Sequence, residues 1–149
     1  MAYWWANQKQ TYRLEHAEGY LWAPVVDKKG RPNRHWDLLE EVEPGDLIFS
    51  YVNAELCKLA VAKTKAMPAD RPQGRSFKPW AQEGRRIEAT YKELPQRVSN
   101  GVLRTKMGSL LKAPGLDRPL TRLGGGRQSY FFRLSPGAGR KLLSLAGLE

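Results

Sequence analysis

The stretch Tyr3-Trp4-Trp5-Ala6-Asn7 starts with three consecutive aromatic residues and ends in a polar one. This composition predicts a β-strand over residues 3–7. Successive side chains of a strand point to opposite faces of the sheet, so Trp4 and Trp5 cannot both enter the same core. The two indoles are therefore expected to meet different sets of neighbours.

Outward from this strand, the sequence predicts alternating helices and strands with no internal repeat. Asn33 is a predicted cap for a helix through Val42, and Ser135 is a predicted cap for a closing helix with Pro136 in its first turn. Two more helices are predicted at 8–17 and 102–112, an extended piece at 20–22, and strands at 47–52, 58–64, 87–91 and 129–134.

The order of these elements indicates the fold class. Hairpin-linked strands flanked by helices predict an α+β fold, a small curled mixed sheet or pseudo-barrel with helices packed outside it. A length of 149 residues fits one domain over 1–149, and the closing Leu148-Glu149 is consistent with a cloning scar.

Composition excludes several classes of protein. A hydrophobic content of 41% argues against disorder, and the apolar runs are too short for a membrane span. The first ten residues lack the pattern of a secretory signal. The single cysteine, Cys57, cannot form an internal disulfide, which indicates a reducing cytoplasm.

The net charge of +10 is unevenly distributed along the chain. Residues 1–57 contain 6 Lys/Arg and 9 Asp/Glu, whereas residues 58–133 contain 17 Lys/Arg and 5 Asp/Glu, a surplus of 12. This asymmetry favours a polyanionic partner such as nucleic acid, and the alternative is a basic surface that only keeps the protein soluble.

The sequence offers little for catalysis. No pair among the two histidines and the one cysteine has zinc-ligand spacing, an HNH nuclease site needs more histidines than the chain has, and the sequence contains no Glu-x-Lys. The run Gly124-Gly125-Gly126-Arg127 lacks the Gly-Lys-Ser/Thr ending of a phosphate loop. It is either a flexible turn or a place where the backbone approaches a phosphate beside Arg127. We therefore expect no metal, no cofactor and no enzymatic activity.

Aromatic residues among basic ones are the main functional signal. The segment 65–86 is rich in Pro, Gly and Arg and is predicted to be a long binding loop, because a disordered linker would have little use for Trp80. Trp22 is followed by Ala23-Pro24 and Trp80 is preceded by Lys78-Pro79, neighbours unsuited to a dry core, so we interpret both as surfaces for stacking a base. Trp36 is interpreted as a core residue.

Four stretches together resemble the EVE domain, a PUA-like relative of the YTH readers of methylated RNA. They are YWWANQKQTY (3–12), GYLWAP (19–24), VEPGDLIFSY (42–51) and GGRQSY (125–130). The resemblance extends from Tyr3 to about Leu134 and is poorest over 65–86. It is greatest to the EVE-type domain found N-terminal to the HNH nuclease of modification-dependent restriction enzymes.

The resemblance implies a PUA-like fold that binds double-stranded DNA and flips a modified base, 5-methylcytosine or 5-hydroxymethylcytosine, into an aromatic pocket. It also implies a role as the specificity domain of a restriction system, with an HNH nuclease fused at the C-terminal side. Two alternatives stay open at this point: a reader of N6-methyladenine in DNA, and a domain that recognises modified RNA.

The resemblance also implies roles for individual residues. Trp22 and Trp80 would be the walls of the pocket, and the carbonyl of Ala23 would accept a proton from the exocyclic amine of the base. The base edge would be contacted by Asn7 or Gln8 and by Tyr12, and the floor would be Phe49 and Ser50. Phosphate contacts are assigned to Lys78, Arg85, Arg86 and Arg127.

Overall fold

Seven strands form one curled sheet in the computed structural model, which describes residues 1–112 and 118–149. The strands are β1 (Tyr3–Asn7), β2 (Tyr20–Pro24), β3 (Leu47–Val52), β4 (Glu55–Ala62), β5 (Met67–Asp70), β6 (Glu83–Ser99) and β7 (Phe131–Leu134). The α-helices are α1 (Tyr12–Glu18), α2 (Arg34–Asp37), α3 (Asn100–Lys106) and α4 (Pro136–Leu145), and 3-10 turns lie at Leu38–Glu41, Arg75–Phe77 and Gly108–Leu110.

The strand order is β2-β6-β4-β3-β1-β7, and β5 also pairs with β6. β1 is parallel to β3 and antiparallel to β7, so the sheet is mixed. The long β6 pairs with β2 and β5 through its first part and with β4 through its second. The predicted α+β class, with a curled mixed sheet and helices outside it, is confirmed.

The two adjacent tryptophans of β1 enter different cores, as predicted. Trp4 stacks on Phe131 with ring centroids 5.2 Å apart, in a cluster that also contains Trp36 of α2. Trp5 packs against Tyr51 at 4.9 Å, in a second cluster that includes apolar residues of α3 and α4. β1 therefore lies in the middle of the molecule with both faces covered.

Several local predictions are confirmed and others are wrong. The side chains of Asn33 and Ser135 cap α2 and α4. The helix predicted from residue 8 begins only at Tyr12, because residues 8–11 form a turn in which the Gln8 carbonyl accepts two backbone N–H groups. The helix predicted over 102–112 ends at Lys106 and is followed by a 3-10 turn.

The largest local error concerns residues 65–86, which were predicted to be one long loop. They contain β5, the turn Arg75–Phe77 and the start of β6. Pro68 lies within β5, where a missing N–H is tolerated because β5 pairs with a neighbour on one side only, that of β6. The strand predicted over 87–91 is the middle of β6 rather than a separate element.

No helix of the described residues is both long enough and apolar enough to cross a membrane.

Candidate nucleic-acid interface

A cavity of about 390 Å³ lies where the free edge of β2 faces the end of β1 and the segment that enters β7. This volume falls within the range of small-ligand sites. Its aromatic lining residues are Trp22, Trp36, Phe77, Trp80 and Tyr130, and the others are Asn7, Lys9, Gln10, Thr11, Ala23, Pro24, Asn33, Gln128 and Ser129.

The Trp22 side chain is fixed on several sides and is only 3% exposed. Its indole Nε1 donates to the carbonyl of Ala69 at 3.0 Å, and its ring meets Phe77 edge-on at 5.7 Å. A Cβ at position 84 would overlap the indole, so glycine at Gly84 makes room for it. Trp22 is therefore a rigid part of the cavity wall.

Trp36 and Trp80 form a second aromatic unit of the wall, with ring centroids 5.6 Å apart and an interplanar angle of 88°. The segment that carries Trp80 is held by Arg71, which donates to the carbonyls of Lys78 and Trp80 at 3.1 and 2.8 Å. Trp36 is 7% exposed and belongs to a core cluster, as predicted, but it also lines the cavity. The sequence does not show that Trp36 lines the cavity, because a buried tryptophan on a helix has the same hydrophobic spacing whether it lies only in the core or also borders a cavity.

Hydrogen-bond register decides which carbonyls of β2 face away from the sheet. Val25 N donates to Glu83 O and Ala89 N donates to Gly19 O, both at 3.0 Å. Hydrogen-bonded pairs alternate along antiparallel strands, so Ala23 pairs with Arg85 on β6, and its carbonyl points into the sheet. The Ala23 carbonyl is thus directed toward β6, away from the free edge, although Ala23 itself lines the cavity.

The free edge of β2 instead presents Trp22 and Pro24. In the same register the Trp22 N–H points away from β6, where it donates to Glu15 Oε2 at 2.9 Å. The carbonyls of Trp22 and Pro24 point to that side as well. The cavity therefore has two backbone acceptors on its β2 side.

Glu15 of α1 is fully buried beneath the cavity, and it connects the two ends of the sheet. One of its oxygens accepts the Trp22 N–H of β2 and the Tyr130 hydroxyl, which lies 2.5 Å away. The other accepts from Thr11 and from Gln8 Nε2. Burial raises the pKa of Glu15 to about 7, although all four hydrogen bonds act in the opposite direction.

Gln8 and Ser50 lie behind the cavity rather than in its lining. Both are fully buried, and the Ser50 hydroxyl donates to Gln8 Oε1 at 2.5 Å. His16 Nε2 lies 2.9 Å from Ser50 Oγ, and burial together with the charge of Lys58 lowers the pKa of His16 to about 4. These groups form a polar layer that supports Glu15.

Phe49 and Tyr12 also lie away from the cavity. Phe49 is directly opposite Trp5 in the β1–β3 register, so its side chain enters the other core. Tyr12 lines a separate hollow on the outer side of α1, together with His16, Cys57, Lys58 and Arg97. Of the eight predicted pocket residues, the structure brings Asn7, Trp22, Ala23 and Trp80 together at one cavity.

Two of the four predicted phosphate contacts are used inside the protein. The Arg85 side chain is 12% exposed and pairs with Asp37 and Glu40 at 2.9 and 3.0 Å. Arg86 pairs with Glu88 at 2.9 Å and lies 4.0 Å above the Tyr20 ring. The register of β6 alone places both, and the sequence gives no sign of these ion pairs.

The other two predicted phosphate contacts lie at the rim. Lys78 is exposed and precedes Trp80 by two residues. The Arg127 carbonyl accepts from Asn7 Nδ2 at 2.5 Å, which brings the 118–127 segment against the cavity wall.

The pKa of Glu15 predicts how stability changes with pH. Its pKa in the folded state lies above its ordinary value of 4.5, so the folded protein favours the protonated form. The stabilisation is present below pH 4.5 and is lost as the pH rises through 7. The measurement is the free energy of urea unfolding of the parent and of Glu15→Gln from pH 4.5 to 8. We expect the parent to lose a few kcal/mol relative to the variant.

The comparison of parent with variant removes the opposite contribution of His16. Its lowered pKa makes stability fall as the pH drops from 6.5 towards 4, and both chains carry it. A parent that gains stability relative to Glu15→Gln as the pH rises would show that the carboxylate is the favoured form.

No protein-family model matches the sequence, and no curated protein matches it either. Solved structures do match. Protein PSPTO5229 from Pseudomonas syringae is 16% identical, with a TM-score of 0.62, over 97% of this chain and 99% of that one.

Two further matches have informative descriptions. Human THYN1 protein, solved in complex with DNA that contains 5-methylcytosine, is 13% identical with a TM-score of 0.60, over 100% of this chain and 99% of that one. The N-terminal domain of Staphylothermus marinus McrB is 11% identical with a TM-score of 0.50, over 93% of each chain. At these identities the matches show the fold: the chain has the PUA-like fold that its resemblance to the EVE domain implied.

Proposed function

We propose that this chain binds double-stranded DNA that carries a modified cytosine and holds the flipped base in the cavity between Trp22 and the Trp36–Trp80 pair. The observation that carries the proposal is the cavity itself, which combines rigid aromatic walls with backbone carbonyls that point away from β6. The net charge of +10 supports a nucleic-acid partner.

The aromatic walls supply what a base loses when it leaves the helix. A base that is withdrawn from the stack needs a new flat surface, and stacking on an aromatic side chain contributes roughly 1–3 kcal/mol. Trp22 has no freedom to turn away, because Phe77, Ala69 and Gly84 fix its ring. The site is thus prepared for a base before the base enters.

The backbone acceptors on β2 favour a base with an exocyclic amino group. The carbonyls of Trp22 and Pro24 accept hydrogen bonds and donate none. Cytosine offers an amino group at C4, where thymine has a carbonyl that would face these two oxygens. The resulting unpaired groups would reject thymine, although its 5-methyl group is the same as that of 5-methylcytosine.

The solved structures support this direction. Human THYN1 was solved with DNA that contains 5-methylcytosine, and it matches this chain over its whole length. The resemblance to EVE-type domains that precede an HNH nuclease supports the narrower proposal that the chain is the specificity domain of a modification-dependent restriction system, and the N-terminal domain of McrB shares its fold. In such a system we propose that cleavage belongs to a separate nuclease domain, such as a fused HNH domain.

Trp22→Ala should remove the preference for the modified base while leaving charge-driven binding intact. Because one stacking wall is lost, we expect the affinity for the modified site to fall roughly 5- to 150-fold. The measurement is a fluorescence-anisotropy titration on matched duplexes with 5-methylcytosine or cytosine, beside a melting curve. Tyr12→Ala is the matched aromatic control, since Tyr12 lines the other hollow, and it should keep the full preference. A folded Trp22→Ala with unchanged preference would refute the pocket.

A panel of bases tests the two acceptors. Duplexes in which one position carries 5-methylcytosine, 5-hydroxymethylcytosine, N6-methyladenine or mispaired thymine would be compared with a 5-methylcytosine RNA of the same sequence. We expect the two modified cytosines to bind best, and thymine to bind at least about tenfold more weakly than 5-methylcytosine. Equal affinity for thymine would contradict the role of the carbonyls, and preference for the RNA would favour the RNA-binding alternative.

The purified chain should not cut DNA in the presence of Mg²⁺ or Mn²⁺. Among the described residues no three His, Cys, Asp or Glu side chains are grouped so that they could hold a metal ion. The measurement is a gel assay with modified and plain duplexes over several hours. Cleavage that survives purification and is abolished by one acidic substitution would show that the chain is an enzyme.

A further inference from the structure

Residues 118–127 form a small hairpin on the side of the cavity opposite β2. Leu120 bridges Gly126 in antiparallel fashion, and Arg127 N donates to the Pro119 carbonyl at 2.9 Å. At its tip, residues 121–124, the Gly124 N–H donates to the Thr121 carbonyl at 2.8 Å. We call residues 121–124 the basic tip.

The basic tip is docked on α3 rather than free. Asn100 Nδ2 donates to the Gly124 carbonyl at 2.9 Å. A Cβ at Gly124 would lie 2.8 Å from Cβ and Cδ of Arg104, so the stem of Arg104 packs on the glycine, whose φ of +96° also favours glycine. The tip therefore has a defined position relative to the rest of the fold.

The two chain segments that contain α3 and the basic tip are rich in positive charge. The described residues 100–112 and 118–133 contain no Asp or Glu. Neither Arg104 nor Arg122 forms an ion pair with any residue that the structure describes, and both are exposed. The basic residues of these two ranges are Arg104, Lys106, Lys112, Arg118, Arg122, Arg127 and Arg133.

Leu123 extends from the basic tip into solvent and is 88% exposed, more than any other large apolar residue of the described chain. A single exposed leucine is ordinary on a protein surface. A leucine at the apex of a docked turn, between cations, is instead the arrangement of proteins that insert an apolar wedge between base steps.

The basic tip is close to the cavity. The Arg127 carbonyl accepts from the cavity residue Asn7, and Gln128 lines the cavity. Leu123 is five residues from Gln128, so at full extension the two are at most about 18 Å apart. Along one DNA strand this corresponds to about five nucleotides at roughly 3.4 Å each.

We infer that the basic tip, together with Arg104 of α3 on which it is docked, is a second DNA contact: Arg104 and Arg122 bind phosphates while Leu123 inserts into the base stack near the position that the flipped base has left. This inference rests on the proposed function, because a vacated position exists only in a duplex from which a base has been flipped. It assigns the pocket and the tip different tasks. The pocket selects the base, and the tip stabilises the opened duplex.

Leu123→Ala tests the wedge, with Leu148→Ala as the matched control at another exposed leucine. Affinities would be measured for a duplex with 5-methylcytosine and for the same modified strand alone. We expect Leu123→Ala to bind the duplex about tenfold more weakly and the single strand within about twofold of the parent, because the single strand has no stack to open. Unchanged duplex affinity, or an equal loss on both substrates, would overturn the wedge.

Arg104→Ala and Arg122→Ala test the phosphate contacts, with the exposed Arg140→Ala of α4 as control. Each contact that is lost should reduce the slope of log affinity against log salt by about 0.9, equally for modified and plain duplexes. Slopes equal to that of Arg140→Ala would overturn the assignment.

The two proposals fail in different ways. If the tip variants match the parent while Trp22→Ala loses its preference, the inference about the tip is wrong and the pocket stands. If the parent has no preference for any modified base while the tip variants still lose duplex affinity, the proposed function of the cavity is wrong. The tip is then a DNA contact that does not depend on a flipped base.

Discussion

The rest of the site depends on one buried carboxylate. An open curled sheet has two free ends, and here the carboxylate of Glu15 binds both, through the Trp22 N–H of β2 and the Tyr130 hydroxyl at the entry to β7. Burying a carboxyl group is costly unless hydrogen bonds replace water, and four donors do so. The cavity is the gap between these two ends of the sheet, and Glu15 closes the bottom of that gap. The group that holds the two ends together therefore also shapes the cavity.

The polar residues near the cavity separate into two layers. Asn7 and the backbone carbonyls of β2 face the cavity, whereas Gln8 and Ser50 lie behind it and orient Glu15. Binding sites are accurate when the groups that touch a ligand are themselves held by a supporting layer. Gln8, which the family resemblance assigned to the base edge, and Ser50, which it assigned to the pocket floor, thus lie one layer behind the cavity.

The sequence predicts those features that depend on local chemistry. The entry of Trp4 and Trp5 into different cores follows from the alternation of side chains along a strand. The helix cap at Ser135 follows from hydrogen bonding within one turn. Features that depend on the pairing register of distant strands cannot be predicted from the sequence. Whether the Ala23 carbonyl faces β6 or the cavity is decided by its pairing with Arg85, 62 positions along the chain. The burial of Glu15 cannot be predicted from the sequence either, because an acidic residue in a short amphipathic helix is usually exposed to solvent.

The positive charge of the chain is also divided by the fold in a way that composition does not show. On the β2 side, Arg85 and Arg86 are neutralised by Asp37, Glu40 and Glu88. On the side of α3 and the 118–127 hairpin, the described residues contain cations and no acids. On this side Arg104 and Arg122 are exposed and form no ion pair with a described residue, so in the proposed function the DNA backbone would approach over the hairpin. In the proposed function the wall formed by β2 is then left to the base, because its acceptor carbonyls would have no favourable contact with phosphates.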